Sequence, residues 1–284
     1  MRRKLLFATD FSKNAWQALL YALELYQKAY CDFYILHVFS LKGDPIKRLI
    51  AMEPGSEAYE TAKLEAQDSL AKLADKLALK EYHNPKHHFE YLCRFGTVVE
   101  VIKNVVEEKD IDMVIMGSKG TSASKSKILG SVSIDVMEKV RNCPVLVVPE
   151  TAKHVLPKEI VFPTSYKTHY KRRELQYLIA IAKTCDAAVR ILHMAKTDHL
   201  SDTQQSNKAL LEDYFQDIPH SYHRLSHTDV PTATNCFVES RASDMVAFIN
   251  KKHAFFGSIL THPLVKEIGY DTKVPLLIMH DLRN

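Results

Sequence analysis

Short apolar runs alternate with helical stripes along the first part of the chain. Lys4–Thr9 (KLLFAT), Phe33–Phe39 (FYILHVF), His88–Arg94 (HFEYLCR), Asp112–Met116 (DMVIM) and Pro144–Val148 (PVLVV) read as buried strands, short and rich in β-branched and aromatic residues. Between them, apolar residues recur at helical spacing. Ala15, Ala18, Leu19, Ala22, Leu23 and Tyr26 form the first stripe, with Ser12 or Asn14 as its cap. Ala66, Leu70, Leu73 and Leu77 mark a helix from about Ser56 to Lys80. Thr97 opens a third, carrying Val98, Val101, Ile102 and Val105, and Ser131–Arg141 is a fourth, with Val132, Val136 and Val140 in register. Strands alternating with helices predict a parallel, doubly wound α/β sheet with right-handed crossovers. The expected strand order is 3-2-1-4-5, which places a ligand crevice outside the carboxyl ends of strands 1 and 4.

The second half repeats the pattern at lower fidelity. Val161-Phe162-Pro163-Thr164-Ser165 echoes Leu6-Phe7-Ala8-Thr9-Asp10; Ile191-Leu192-His193-Met194 echoes Ile35-Leu36-His37-Val38; Pro275-Leu276-Leu277-Ile278 echoes Pro144-Val145-Leu146-Val147. Two tandem five-stranded, Rossmann-like domains are expected, over residues 1–150 and 157–284, joined across Glu150–Lys158. At 284 residues the chain has length for both, and 46% hydrophobic residues give each its own core. Val145–Val148 and Leu276–Met279 are edge-strand candidates that want covering.

Charge and cysteine content narrow the function classes. A net charge of +4, with no basic stripe interleaved with aromatics, argues against a nucleic-acid partner. No apolar stretch approaches a membrane span, and the N-terminal apolar run is cut short by Asp10, unlike a signal peptide. The five cysteines form no CxxC pair, so free thiols in a reducing, cytoplasmic setting are expected.

The informative segment is MGSKGTSASKSKILGSVS, Met116–Ser133. Gly117 and Gly120 follow strand 4, and Gly130 and Ser131 open the next helix; three of the eight glycines of the chain lie here. Glycines admit close backbone approach, and a helix start offers unpaired N–H groups and a positive dipole end, a combination suited to phosphate. Ser131 and Ser133 add hydroxyls, and Lys119, Lys125 and Lys127 add positive charge. The spacing fits neither a Walker A loop nor the GxGxxG dinucleotide fingerprint. A flexible connection using glycine for turns is the plain alternative.

The spacing Gly117-x2-Gly120-x9-Gly130-Ser131 resembles the loop of ATP-binding universal stress proteins. Ala8-Thr9-Asp10-Phe11-Ser12, Leu36-His37-Val38 and Asn142–Pro149 resemble that family's first, second and closing strands, over essentially all of residues 1–150. The resemblance implies the fold of adenine-nucleotide alpha-hydrolase-like proteins and ATP as ligand, with or without Mg²⁺ or Mn²⁺, and it implies pairing through the closing strands, Val145–Val148 with Leu276–Met279, as an intramolecular pseudo-dimer to which a homodimer could be added. It implies that Asp10 contacts ribose or the adenine edge, that Val38 and Met116 line the base, and that Gly117 packs against ribose. Gly120, Gly130, Ser131, Val132 and Ser133 would hold phosphates, with Ala8, Thr9 and Ser118 completing the set. Ala8 departs from the family's usual proline.

In the second half, Asn250 and His253 stand in place of Gly117 and Gly120, the insert is missing, and Ser165 replaces Asp10. No nucleotide is expected there. His220, His223 and His227 fall on a strand where only the last two share a face, with no cysteine or carboxylate at ligand spacing, so no metal centre is expected. His37 and His193 recur at equivalent positions, where they either are structural or line the crevice, the structural reading being favoured. Trp16 reads as core or interface. No nucleophile–base–orienter set can be read. The expected function is a stress-response regulatory protein that binds nucleotide and acts on a protein partner. A slow ATPase or phosphotransferase, and an interaction module that binds no nucleotide, are the alternatives.

Overall fold

The computed structural model describes residues 2–40, 55–120, 129–153, 155–195, 199–226, 228–250 and 273–280. The first half runs β1 (Arg3–Ala8), α1 (Lys13–Leu25), β2 (Cys31–Phe39), α2 (Glu57–Leu77), β3 (His87–Phe95), α3 (Val98–Lys109), β4 (Met113–Gly117), α4 (Ser131–Lys139) and β5 (Val145–Val148). The second runs β6 (Glu159–Thr164), α5 (Arg172–Cys185), β7 (Ala188–Ala195), α6 (Asp202–Phe215), β8 (His220–Ser226), α7 (Val230–Arg241), β9 (Met245–Asn250) and β10 (Leu276–His280).

Local chemistry sets the boundaries. Ser12 caps α1 by accepting the Ala15 N–H, and Ser56 caps α2 by accepting that of Tyr59. The helices α3 and α5 both stop on an aspartate in the left-handed region, Asp110 and Asp186. Each half also pins its first strand with an aspartate: Asp112 Oδ2 accepts the Lys4 N–H, and Asp244 Oδ2 accepts those of Lys158 and Glu159. Strand β4 runs one residue beyond the predicted end because Gly117 pairs with Val148 of β5.

All ten strands form one sheet, in the order β3-β2-β1-β4-β5-β10-β9-β6-β7-β8. Each half therefore has the 3-2-1-4-5 order, and the halves meet where β5 and β10 pair antiparallel, Leu146 opposite Leu277. Two apolar layers cover the sheet and cross the junction. One joins Phe7, Leu19 and Phe33 to Phe162, Leu178 and Phe215. The other joins Leu6, Ile102 and Val136 to Val161 and Phe248. Continuous burial on both faces is what a parallel sheet covered by helices requires. The α4 helix ends two residues before the predicted Arg141. That side chain instead crosses the junction, where its Nη2 donates to the Asn250 carbonyl at 2.6 Å.

Candidate functional site

Strand order reverses at β1 and β4, whose ends are in register, Ala8 beside Met116. The chain leaves β1 through a tight turn. Thr9 Oγ1 accepts the Phe11 N–H at 3.0 Å, and Asp10 Oδ1 accepts the Ser12 N–H at 3.1 Å, with Phe11 at φ 60°. His37 braces this turn: its Nδ1 lies 2.8 Å from Thr9 O, and its ring packs on Phe11 at 4.5 Å. A carbonyl only accepts, so Nδ1 carries the proton. The second half repeats the device with Thr164, Tyr166 and His193, at 3.1 Å for the turn bond and 3.0 Å for the histidine. Both histidines thus hold turns, and burial lowers the pKa of His193.

The glycine loop closes on itself. The Gly130 N–H donates to Ser118 O at 2.8 Å. A Cβ at Gly130 would lie 3.4 Å from Lys119 Cα, so residues 118–120 and the start of α4 are packed backbone to backbone. Ser133, buried, turns its hydroxyl onto Ser118 O and to within 2.8 Å of Gly130 O. That hydroxyl fastens the loop. Ser131 and Val132 are exposed at the mouth. No side chain caps α4, and its first turn carries no acidic residue. The first-turn amides of a helix have no partner within it. Here they lie at an exposed helix start beside the crevice.

Asn14 was not singled out for this role, yet it organises the loop's other end. Buried in the first turn of α1, it donates from Nδ2 to Val148 O at 3.1 Å. Its Oδ1 accepts the Lys119 N–H at 2.9 Å and the Ser118 hydroxyl at 3.3 Å. One amide thereby joins α1, the end of β5 and the start of the loop. The only sequence signal was an asparagine near a helix start, which suggests capping.

Two glycines lie close against their neighbours. At Gly117 a Cβ would come within 2.9 Å of Asn14 Oδ1 and 3.2 Å of the Ala15 backbone nitrogen, so that face packs against α1. At Gly120 a Cβ would lie 2.5 Å from Asp10 Oδ2. The Asp10 carboxylate therefore lies directly against the loop. Ala8, Val38 and Met116 share one apolar cluster beside it, an apolar shelf next to a polar loop. The Lys119 ammonium is engaged with Glu150 at 3.3 Å. Lys125 and Lys127 lie outside the described residues.

Elsewhere, Trp16 is partly buried, edge-on to Tyr82 with the Lys76 ammonium 3.4 Å from its ring. His220 is within 3.1 Å of Glu212, while His223 meets Ser221 at 2.8 Å. His227 and most of the second-half loop, from Lys251 to Ser258, lie outside the described residues. No group of three metal-ligating side chains occurs among the described residues, and no helix among them is long and apolar enough to cross a membrane.

A doubled Rossmann-like sheet with a glycine loop at its switch point defines a tandem α/β protein. The chain belongs to the universal stress protein family, whose sequence model matches residues 1–149. It is 30% identical over 155 residues to a universal stress protein of Methanocaldococcus jannaschii, a match covering 52% of this chain and 95% of that one. A similar match, 30% over 155 residues and 99% of the relative, is to the universal stress protein YxiE of Bacillus subtilis. Over the whole chain, a solved universal stress protein from Archaeoglobus fulgidus superposes with a TM-score of 0.72 at 20% identity, covering 97% of each. A protein of Pseudomonas aeruginosa superposes at 0.64 and 11% identity, covering 98% of this chain and 92% of that one. At such identities these two likenesses concern the fold, including its doubling.

Proposed function

We propose that the first half binds an adenine nucleotide, ATP with Mg²⁺ or Mn²⁺, and that binding changes the surface offered to a protein partner. The observation that carries this reading is the closure of residues 118–120 onto Gly130. It sets the start of α4, without an acidic residue in its first turn, beside the crevice at β1 and β4. In this reading the phosphates take the amides of Ser131, Val132 and Ser133, and the base lies on Ala8, Val38 and Met116. Asp10 takes ribose hydroxyls, since its carboxylate would repel phosphate. Ser118 and the Ser133 hydroxyl hold the loop in shape. Bound metal is carried mainly by phosphate oxygens and water. The role is binding, with slow hydrolysis at most. The second half, with Ser165 for Asp10 and Asn250 for Gly117, is assigned no nucleotide.

Thermal unfolding with and without ATP·Mg²⁺ tests the reading. Ligand at 100 times its Kd adds about 2.7 kcal/mol, and Gly130→Val, which fills the closure, should abolish that gain. No shift in the wild-type chain at millimolar ATP would sink the proposal.

A further inference from the structure

The two halves are joined by more than the strand seam. Directly after β5 the chain makes a turn, closed by the Ala152 N–H donating to Pro149 O at 3.0 Å, with Glu150 and Thr151 as its central residues. These neighbours grip opposite halves. Glu150 reaches back to the Lys119 ammonium at 3.3 Å. Thr151 donates its hydroxyl forward to Lys273 O at 3.1 Å, just ahead of β10.

The turn is anchored on both sides. In the first half, the Ser118 N–H and Asn14 Nδ2 both donate to Val148 O, at 2.9 and 3.1 Å, and Asn14 Oδ1 accepts the Lys119 N–H. The Lys119 backbone is packed against Gly130 at the start of α4, while its side chain is tied to the turn. In the second half, Pro275 O accepts the Val246 N–H at 3.0 Å, joining the segment after Lys273 to β9. The Lys273 ammonium meets Glu239 of α7 at 3.1 Å, on the exposed surface. The bond from Arg141 to Asn250 ties the halves at the other end of β10, beside His280. The turn is therefore the tie at the end where the glycine loop lies.

We infer that the turn Pro149–Ala152 couples the two halves, so that nucleotide in the first alters the second at Lys273 and the start of β10. This coupling rests on the nucleotide reading of the first half, and it gives the second half the role of reporting occupancy. A ligand on the α4 amides favours one arrangement of residues 118–120, and Lys119 shares that arrangement with Glu150. Glu150 and Thr151 flank a single peptide plane, so a displacement of one is felt by the other and passed to Lys273. Such coupling is reciprocal: whatever holds Lys273 also biases the affinity for nucleotide.

Methyl NMR on the full chain, titrated with ATP·Mg²⁺, tests the coupling. Val132, in the first turn of α4, reports occupancy, and Val274, next to Lys273, reports the second half. In the wild-type chain both signals should shift along the same saturation curve. In Glu150→Gln and in Thr151→Val, an exposed position, the Val132 shift should persist and the Val274 shift should be lost. A full Val274 shift in either variant would assign the effect to the strand seam and overturn the role of the turn. A wild-type shift at Val132 without one at Val274 would overturn the coupling and leave the nucleotide reading standing. No shift at Val132 would sink that reading and the coupling with it.

Discussion

Asn14 Oδ1 accepts the backbone N–H of Lys119 at 2.9 Å, so the first helix of the chain holds the loop that leaves its fourth strand. The two residues are more than a hundred positions apart, and the bond is made by a side chain that is almost fully buried. Truncating it leaves the Val148 carbonyl and the Lys119 amide without this partner. Asn14→Ala should therefore destabilise by about 1–3 kcal/mol, read as a lower urea midpoint. The nucleotide-induced thermal shift should fall with it. Unchanged stability would mean that water replaces the amide freely.

Gly117 and Gly120 should respond differently to the same small change. Gly117→Ala drives a methyl against Asn14 and the Ala15 backbone, neither of which can withdraw, and should cost about 1–3 kcal/mol of stability. Gly120→Ala meets only the Asp10 carboxylate, the end of a side chain that can rotate. It should leave the melting temperature nearly unchanged and weaken nucleotide binding by displacing Asp10. Equal effects on stability would contradict the packing described.

Glu159 links acid sensitivity to one cluster. Arg241 binds both its oxygens at 2.7 Å, and Arg190 and Ser243 add bonds at 2.7 and 2.8 Å. Led by Arg241, these hold its pKa at about 2 against the opposing pull of burial. An ordinary glutamate titrates near 4.3. The folded value is the lower one, so the stabilisation is complete above the unfolded pKa and is lost as pH falls from there toward about 2. Glu159→Gln should lower the urea midpoint at pH ~7 and flatten its decline between ~4.3 and ~2. An unaltered slope in that window would assign the acid transition to other groups.

Leu277 tests the junction. It pairs with Leu146 across β5 and β10, and both are fully buried. Leu277→Ala should cost about 2–5 kcal/mol, and both halves should respond because the apolar layer is shared. A loss of helical circular dichroism that Trp16 fluorescence, reporting on the first half, does not follow would show that they unfold separately.

The first-half fold was legible because its strands are short and wholly buried, and its helices carry one apolar stripe each. β1, β2 and β3 fall within two residues of the predicted ends, and the Ser12 and Ser56 caps sit where hydroxyls precede helical spacing. The place of the crevice followed from strand order alone. Less legible were features made by tertiary contact. Asn14 carries no local mark of a link to residue 119. The inward turn of the Ser133 hydroxyl depends on Ser118 O, which only the folded loop supplies. The left-handed Phe11 and Tyr166 defy local preference, because their turns are held by Thr9 and Thr164 and braced by histidines. The second half is read through its echoed strands, which leaves its helices unplaced, although Leu175, Leu178 and Ala182 mark one buried face of α5.

The antiparallel seam between β5 and β10 leaves neither strand a bare edge, for β4 and β9 occupy their other sides. Separate chains could trade partners through such a seam and make mixed assemblies. Here the partnership is written into one polypeptide, so an unlike pair of halves is always delivered in equal number, and the tether favours the internal partner over a stranger.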